Sequence, residues 1–172
     1  MAFEGTYSND PDDTGSETYR GVSRKNYPNW TGWVIIDSYK SKPGFPATLD
    51  SDNNLLDQVR QFYKVNYWIK LSGDKILNQA TADYLFDCSV NLGLNRTITF
   101  LQKSLNILTD NNLSEDGVFG PNTLNSLLNY LNNSKPTYLI KLLTIFRGNH
   151  YINIVTTNLS QRKFIRGWLH RV

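Results

Sequence analysis

Leu55-Leu56-Asp-Gln-Val59-Arg-Gln-Phe62-Tyr63-Lys-Val-Asn-Tyr-Trp-Ile69 brings apolar side chains back at intervals of three and four. That is the period of an α-helix with one buried face, and it differs from the strict alternation of a strand. Ser51 or Asp52, just ahead, is the candidate N-cap, because a side-chain oxygen there accepts from the free N–H groups of the first turn. The same spacing continues toward the C-terminus. Residues 78–92 align Ala80, Tyr84 and Cys88, and residues 96–109 align Ile98, Leu101, Leu105 and Leu108. Pro121 opens a segment to 132 that presents Leu124, Leu127, Leu128 and Leu131, with proline where its missing N–H does no harm. Pro136 repeats that design to 151 behind Ser134 as the expected cap. A last helix is expected from 160 onward, aligning Phe164, Trp168 and Val172.

Upstream the texture changes. Residues 4–53 are dense in Asp, Gly, Pro, Ser, Thr and Trp, and little of them reads as helix. The run Trp33-Val-Ile-Ile predicts a brief strand over Gly32–Tyr39, followed by a loop at Lys42-Pro-Gly-Phe-Pro46. No internal repeat or low-complexity tract interrupts the pattern. The expected architecture is mainly α (α+β): a helical bundle with an irregular or short-β N-terminal lobe.

A chain of 172 residues suits one domain, or one domain with an appended lobe. Its 40% hydrophobic and 13% aromatic content supplies a core and excludes a disordered chain. The net charge of +3 permits an anionic partner without requiring one. Charge is uneven: Glu4, Asp10, Asp12, Asp13 and Glu17 crowd the first twenty residues, and Arg162, Lys163, Arg166 and Arg171 the last thirteen. The basic tail reads as a solvated helix face or as an approach to phosphate-rich polymers; it carries no nucleic-acid reader motif, so no nucleic-acid partner is expected. Cys88 is alone, which excludes an intramolecular disulfide. His150 and His170 lie too far apart for a local zinc motif, and no metal or cofactor is expected. Residues 138–146, the longest apolar run, are too short to span a bilayer and include Lys141, so membrane insertion is not expected. No secretory signal precedes the polar N-terminal motif, which predicts a soluble protein made in the cytoplasm.

The residues that could carry chemistry begin at Glu4-Gly-Thr-Tyr7-Ser-Asn-Asp10-Pro-Asp-Asp13-Thr-Gly-Ser-Glu-Thr18-Tyr-Arg-Gly21-Val. A carboxyl set against aromatic surface has a raised pKa, because desolvation disfavours its charged form; such a group can donate a proton near neutral pH. Asp13, then Asp10, are candidates for a second carboxylate, or else their side chains bond turn amides. The run from Asp10 brushes the calcium-loop pattern but fails, since Gly21 stands where the bidentate glutamate belongs. Tyr7 and Thr18 could hydrogen-bond Glu4 or a ligand hydroxyl. Trp30 and Trp33 offer indole faces suited to sugar rings, or else pack in the core. Tyr84, Asp87 and Asn91 put polar groups on an otherwise apolar helix, where they need partners. Asp116-Gly117-Val-Phe-Gly120-Pro121-Asn-Thr123 reads as a tight loop entering a helix.

Taken together, Glu-Gly-x-Tyr, Asn-Asp-Pro-x-Asp-x-Gly-x-x-Thr and Gly-Val resemble the signature of glycoside hydrolase family 108. These are lysozyme-like peptidoglycan N-acetylmuramidases of phage endolysins and bacterial genomes, some called secretion activators. Tyr84-Leu-Phe-Asp87-x-x-x-Asn91-x-Gly93 is similar to a helix of that family. The Asp116 motif, Arg147 with Tyr151, and Phe164-x-x-Gly167-Trp168 resemble the peptidoglycan-binding domain that accompanies it. The resemblance implies residues 1–93 as a catalytic region and 94–172 as a helical wall-binding region. It implies Glu4 as general acid, Asp13 as second group, and Tyr7, Asp10, Thr18, Trp30, Trp33 and Asn91 as substrate contacts. Peptidoglycan glycan is the implied partner, reached after holin- or lysis-dependent release. Thr6 and Ser16 replace glycines usual in the family, and only Met1-Ala2-Phe3 precede Glu4 where the family carries a helix. The alternative implied is a wall-binding or secretion-associated protein that kept the fold without catalysis.

Overall fold

The structure, a computed structural model, describes residues 6–9 and 17–172. Strands β1 (Tyr7–Asn9), β2 (Glu17–Tyr19) and β3 (Val22–Ser23) form an antiparallel sheet in the order β1-β2-β3. Tyr7 faces Tyr19, Ser8 faces Thr18 and Asn9 faces Glu17 across the first pair. Only Arg20 and Gly21 join β2 to β3, with φ of 44° and 82°. Two successive left-handed residues give the turn whose twist matches a right-twisted hairpin.

That turn is clamped from above by Tyr63, whose hydroxyl donates to the Arg20 carbonyl at 2.8 Å. Burial pushes the Tyr63 phenol up to about 12. A Cβ on Gly21 would stand 2.5 Å from the Tyr63 hydroxyl oxygen. Gly21→Ala therefore meets a backbone penalty and a steric one together. We expect a loss of about 2–3 kcal/mol, read as a lower urea midpoint at unchanged slope. An unaltered midpoint would mean that the turn can relax away from Tyr63.

Helices α1 (Gly32–Tyr39) and α2 (Asn53–Tyr63), with a 3₁₀ turn at Ala47–Ser51, complete the first compact unit, which ends at Asn66. The strand expected at Gly32–Tyr39 is thus a helix. Trp33 and Ile36 are buried while Val34 is 74% exposed, so the spacing of burial is helical despite the β-prone composition. The expectation of little helix before residue 53 falls with it. Asp52 is the cap of α2: its Oδ1 accepts from the Leu55 N–H at 2.9 Å. The apolar stripe stops short of Ile69, which is 54% exposed. The helix gives way after Tyr63 to a π-helical turn, Lys64–Trp68.

The second unit, Tyr67–Val172, holds α3 (Gln79–Leu92), α4 (Leu94–Leu108), α5 (Pro121–Asn133), α6 (Pro136–Thr157) and α7 (Ile165–Leu169). Leu85, Leu101, Leu105, Leu127, Leu139 and Leu143 meet in its core. Each such leucine contributes about 1.5–3 kcal/mol relative to an exposed one. Helix α3, grouped by the sequence with the N-terminal region, packs here against α4 and α6. Two expectations need correction. Ser134 closes α5, donating its N–H to the Tyr130 carbonyl, and Lys135 is the cap position of α6. Proline at 136 holds Lys135 in extended backbone, which moves the boundary one residue on. The last helix is a 3₁₀ turn, Leu159–Phe164, followed by the short α7. The architecture is mainly α with a small three-stranded sheet.

Candidate functional site

Glu4, Asp10 and Asp13 lie outside the described residues. The surrounding motif is placed, and its sheet sorts the candidates by face. Side chains alternate along a strand, so Tyr7, Asn9, Glu17 and Tyr19 share one face while Ser8, Thr18 and Ser23 share the other. Tyr7 and Thr18 therefore point to opposite faces.

Tyr7 is committed to a neighbour that sequence reading passed over. Its hydroxyl donates to Glu17 Oε1 at 3.0 Å. Burial, then the Glu17 hydrogen bond, pushes the Tyr7 phenol above its ordinary range. Glu17 is 7% exposed, yet its charge is met twice: by Arg24 Nε at 2.8 Å and by Lys40 Nζ at 2.9 Å. Both cations also grip Asp37, at 2.7 and 2.8 Å, and those contacts hold the Asp37 carboxyl below its usual value. A carboxylate so placed works as a fixed anchor between sheet and α1. The signal for it was faint: an acid on a strand that alternates with tyrosines.

The two tryptophans part company. Trp33 is 3% exposed, donates its indole N–H to the Tyr27 carbonyl at 2.8 Å, and lies beneath the Arg24 guanidinium, 4.6 Å from the ring centroid. Its ring is a packing element with no open face. Trp30 is half-buried and lines a hollow of about 330 Å³ together with Tyr27 and Phe62.

In the second unit, Asn91 donates to the Asp87 carbonyl at 2.7 Å and to its carboxylate at 3.0 Å. Asp87 in turn accepts from Arg147 Nη1 at 2.8 Å. Asn91 thus belongs to a structural network. Cys88 borders it, 3.6 Å from Arg147 Nη1, and burial pushes its thiol up to about 11. Folded protein at pH 8 should resist iodoacetamide, and unfolding in urea should release rapid alkylation; rapid modification of the folded chain would contradict that burial. The Asp116 loop is organised by Gln102, also missed in the sequence. Its side-chain N–H groups reach Asp116 Oδ1 (2.8 Å) and the Val118 carbonyl (3.2 Å), and its Oε1 accepts from the Gly117 N–H (3.0 Å). Beside this loop is a hollow of about 440 Å³, lined by Asn112, Asp116, Val118, Asn122 and Thr123 among others.

Among the described residues no three His, Cys, Asp or Glu side chains converge as metal ligands. Nor is any of their helices long and apolar enough to cross a membrane.

Comparison with known proteins divides the chain between residues 93 and 96, inside what folds as the second compact unit. Residues 1–93 match the family described as Glycosyl hydrolase 108, and residues 96–172 match the Predicted Peptidoglycan domain. The chain belongs to the glycosyl hydrolase 108 family. That family is one of glycoside hydrolases, and membership supports a function of the peptidoglycan hydrolase type. The structure of SagA from Brucella abortus is similar in fold, with a TM-score of 0.61 and 21% identity, covering 98% of this chain and 82% of that one. No curated protein matches the chain in sequence.

Proposed function

We propose that this chain cleaves the β-1,4 bond after N-acetylmuramic acid in peptidoglycan glycan strands, with Glu4 as general acid. Glu4 protonates the departing glycosidic oxygen, water supplies the new hydroxyl at the anomeric carbon, and Asp13 serves as the second carboxylate, with Asp10 the alternative. The observation that carries the reading is the Glu4–Gly21 motif lying inside the segment that matches the family. The sheet supports it by anchoring β2, which closes the motif, through Glu17. Tyr7 acts as a positioning residue through Glu17, and Thr18, on the opposite sheet face, contacts substrate. Residues 1–93 form the catalytic region, and residues 94–172 hold the wall, with the hollow beside Asp116 as their contact surface.

Purified sacculi incubated with the chain, then reduced with borohydride, test the bond directly. Muramitol at the new ends supports the assignment; glucosaminitol would move the cut to the other linkage. No new ends at all would leave a wall-binding protein without catalysis.

A further inference from the structure

We infer that the hollow between Tyr27, Trp30 and Phe62 is a subsite that seats one neutral N-acetylhexosamine ring of the glycan strand. The inference rests on glycan being the substrate and adds where, in the first unit, the strand is held.

The hollow is about 330 Å³ in volume, the lower end of what small-molecule sites use. It is lined by the half-buried Tyr27 and Trp30 over the buried Phe62, with Pro28 and the amides of Asn26, Asn29 and Asn66 beside them. Among the described residues no charged side chain lines it. A phosphate, a stem-peptide carboxylate or a free amine would lose hydration there without meeting a counter-charge. A sugar ring fits the chemistry better, with its C–H face on carbon surface and its hydroxyl and acetamido groups on amides.

The walls are preorganised. Trp30 meets Trp33 edge-on at 5.0 Å and Phe62 at 6.1 Å, and Tyr27 meets Phe62 at 4.6 Å. Gly32 lets the indole settle, since a Cβ there would stand 2.3 Å from the Trp30 ring. The loop beneath is tied by the Tyr27 N–H to the Ser23 carbonyl at 2.9 Å and the Trp30 N–H to the Tyr27 carbonyl at 3.1 Å. A site fixed before the ligand arrives loses little entropy on binding. The Trp30 Nε1 is shut off from solvent and has no partner among the described residues, so the indole offers carbon surface alone. Polar recognition falls to the asparagines. Asn26 and Asn29 are exposed, and Asn66, donating to the Phe62 carbonyl at 2.9 Å, keeps its own oxygen as an acceptor.

The test uses the full chain carrying Glu4→Gln, labelled with ¹⁵N, so that glycan is bound without being consumed. A tetramer of N-acetylglucosamine should shift the Trp30 indole N–H resonance, identified by its loss in Trp30→Phe, and the Asn26 and Asn29 side-chain amides. Asn26→Ala with Asn29→Ala should weaken the dissociation constant at least tenfold with an unchanged denaturation midpoint. The deacetylated tetramer and a free stem peptide should leave these resonances still. A silent Trp30 while other residues respond, or an equal response to the deacetylated tetramer or the peptide, overturns the subsite. The hydrolase reading fails separately. If Glu4→Gln still cleaves walls while Trp30 responds, the acid is misassigned and the subsite stands; if cleavage needs Glu4 and Trp30 is silent, the reverse holds.

Discussion

Glu4→Gln is expected to lower the rate of wall hydrolysis by roughly a thousandfold, the middle of the range that a positioned general acid supplies. Glutamine keeps the length and planarity of the side chain and can still hydrogen-bond a sugar oxygen. It cannot release a proton to the leaving group in the transition state. Binding should therefore survive while turnover falls, so kcat drops and KM stays close to its original value. Glu4→Asp separates chemistry from reach. It keeps the acid but withdraws it by one methylene, and a site that must hold within about 0.5 Å loses most of its rate as well. Measured on dyed sacculi, equal rates for parent and Glu4→Gln would remove Glu4 from the reaction. Asp13→Asn gives the companion result: rescue by azide would mark a carboxylate whose place a small anion can take.

The sequence exposes what is local and hides what is brought together by folding. The Asp52 cap was legible because its acceptor and the Leu55 N–H are near neighbours in the chain. The Pro121 start of α5 was legible for the same reason. The Gly32–Tyr39 segment was not, because its composition is that of a strand and its burial is decided by partners elsewhere. Lys135 took the boundary expected at Ser134 through the conformational demand of the following proline. The site divides along the same line. The motif that opens at Glu4 was readable as a family signature, which the match over residues 1–93 bears out. Glu17 was not, since nothing near it in sequence announces that Lys40, from the far end of α1, would share its burial with Arg24. Gln102 was hidden likewise: a mid-helix glutamine gains meaning only when the Asp116 loop folds back on it.

Arg147→Ala is expected to destabilise the second unit by about 3 kcal/mol, the lower end for breaking a buried charge pair. Arg147 is 1% exposed on α6 and reaches two helices' worth of partners: Asp87 on α3 through Nη1 at 2.8 Å, and Tyr151 on its own helix through Nε at 2.9 Å. Alanine leaves a cavity the size of the lost side chain and strips the Tyr151 hydroxyl of its donor. The lower end applies because the Asp87 side chain is 40% exposed and can take up water in place of the guanidinium. Arg147→Met should lose less. It refills much of the volume and removes a guanidinium whose Nη2 is buried with no partner among the described residues. Asp87→Ala should be the more damaging partner change, since it strands a charge that burial cannot hydrate. The Tyr84 hydroxyl, 2.8 Å from Thr144 Oγ1, ties α3 to α6 independently, so the fold should survive each change long enough to be measured. Urea denaturation of Arg147→Met with Asp87→Ala then decides the physics. A double variant more stable than the sum of the two single losses shows that Arg147 and Asp87 stabilise each other across α3 and α6. Strict additivity would show instead that the two side chains act apart, and that the guanidinium is held by Tyr151 and its packing alone.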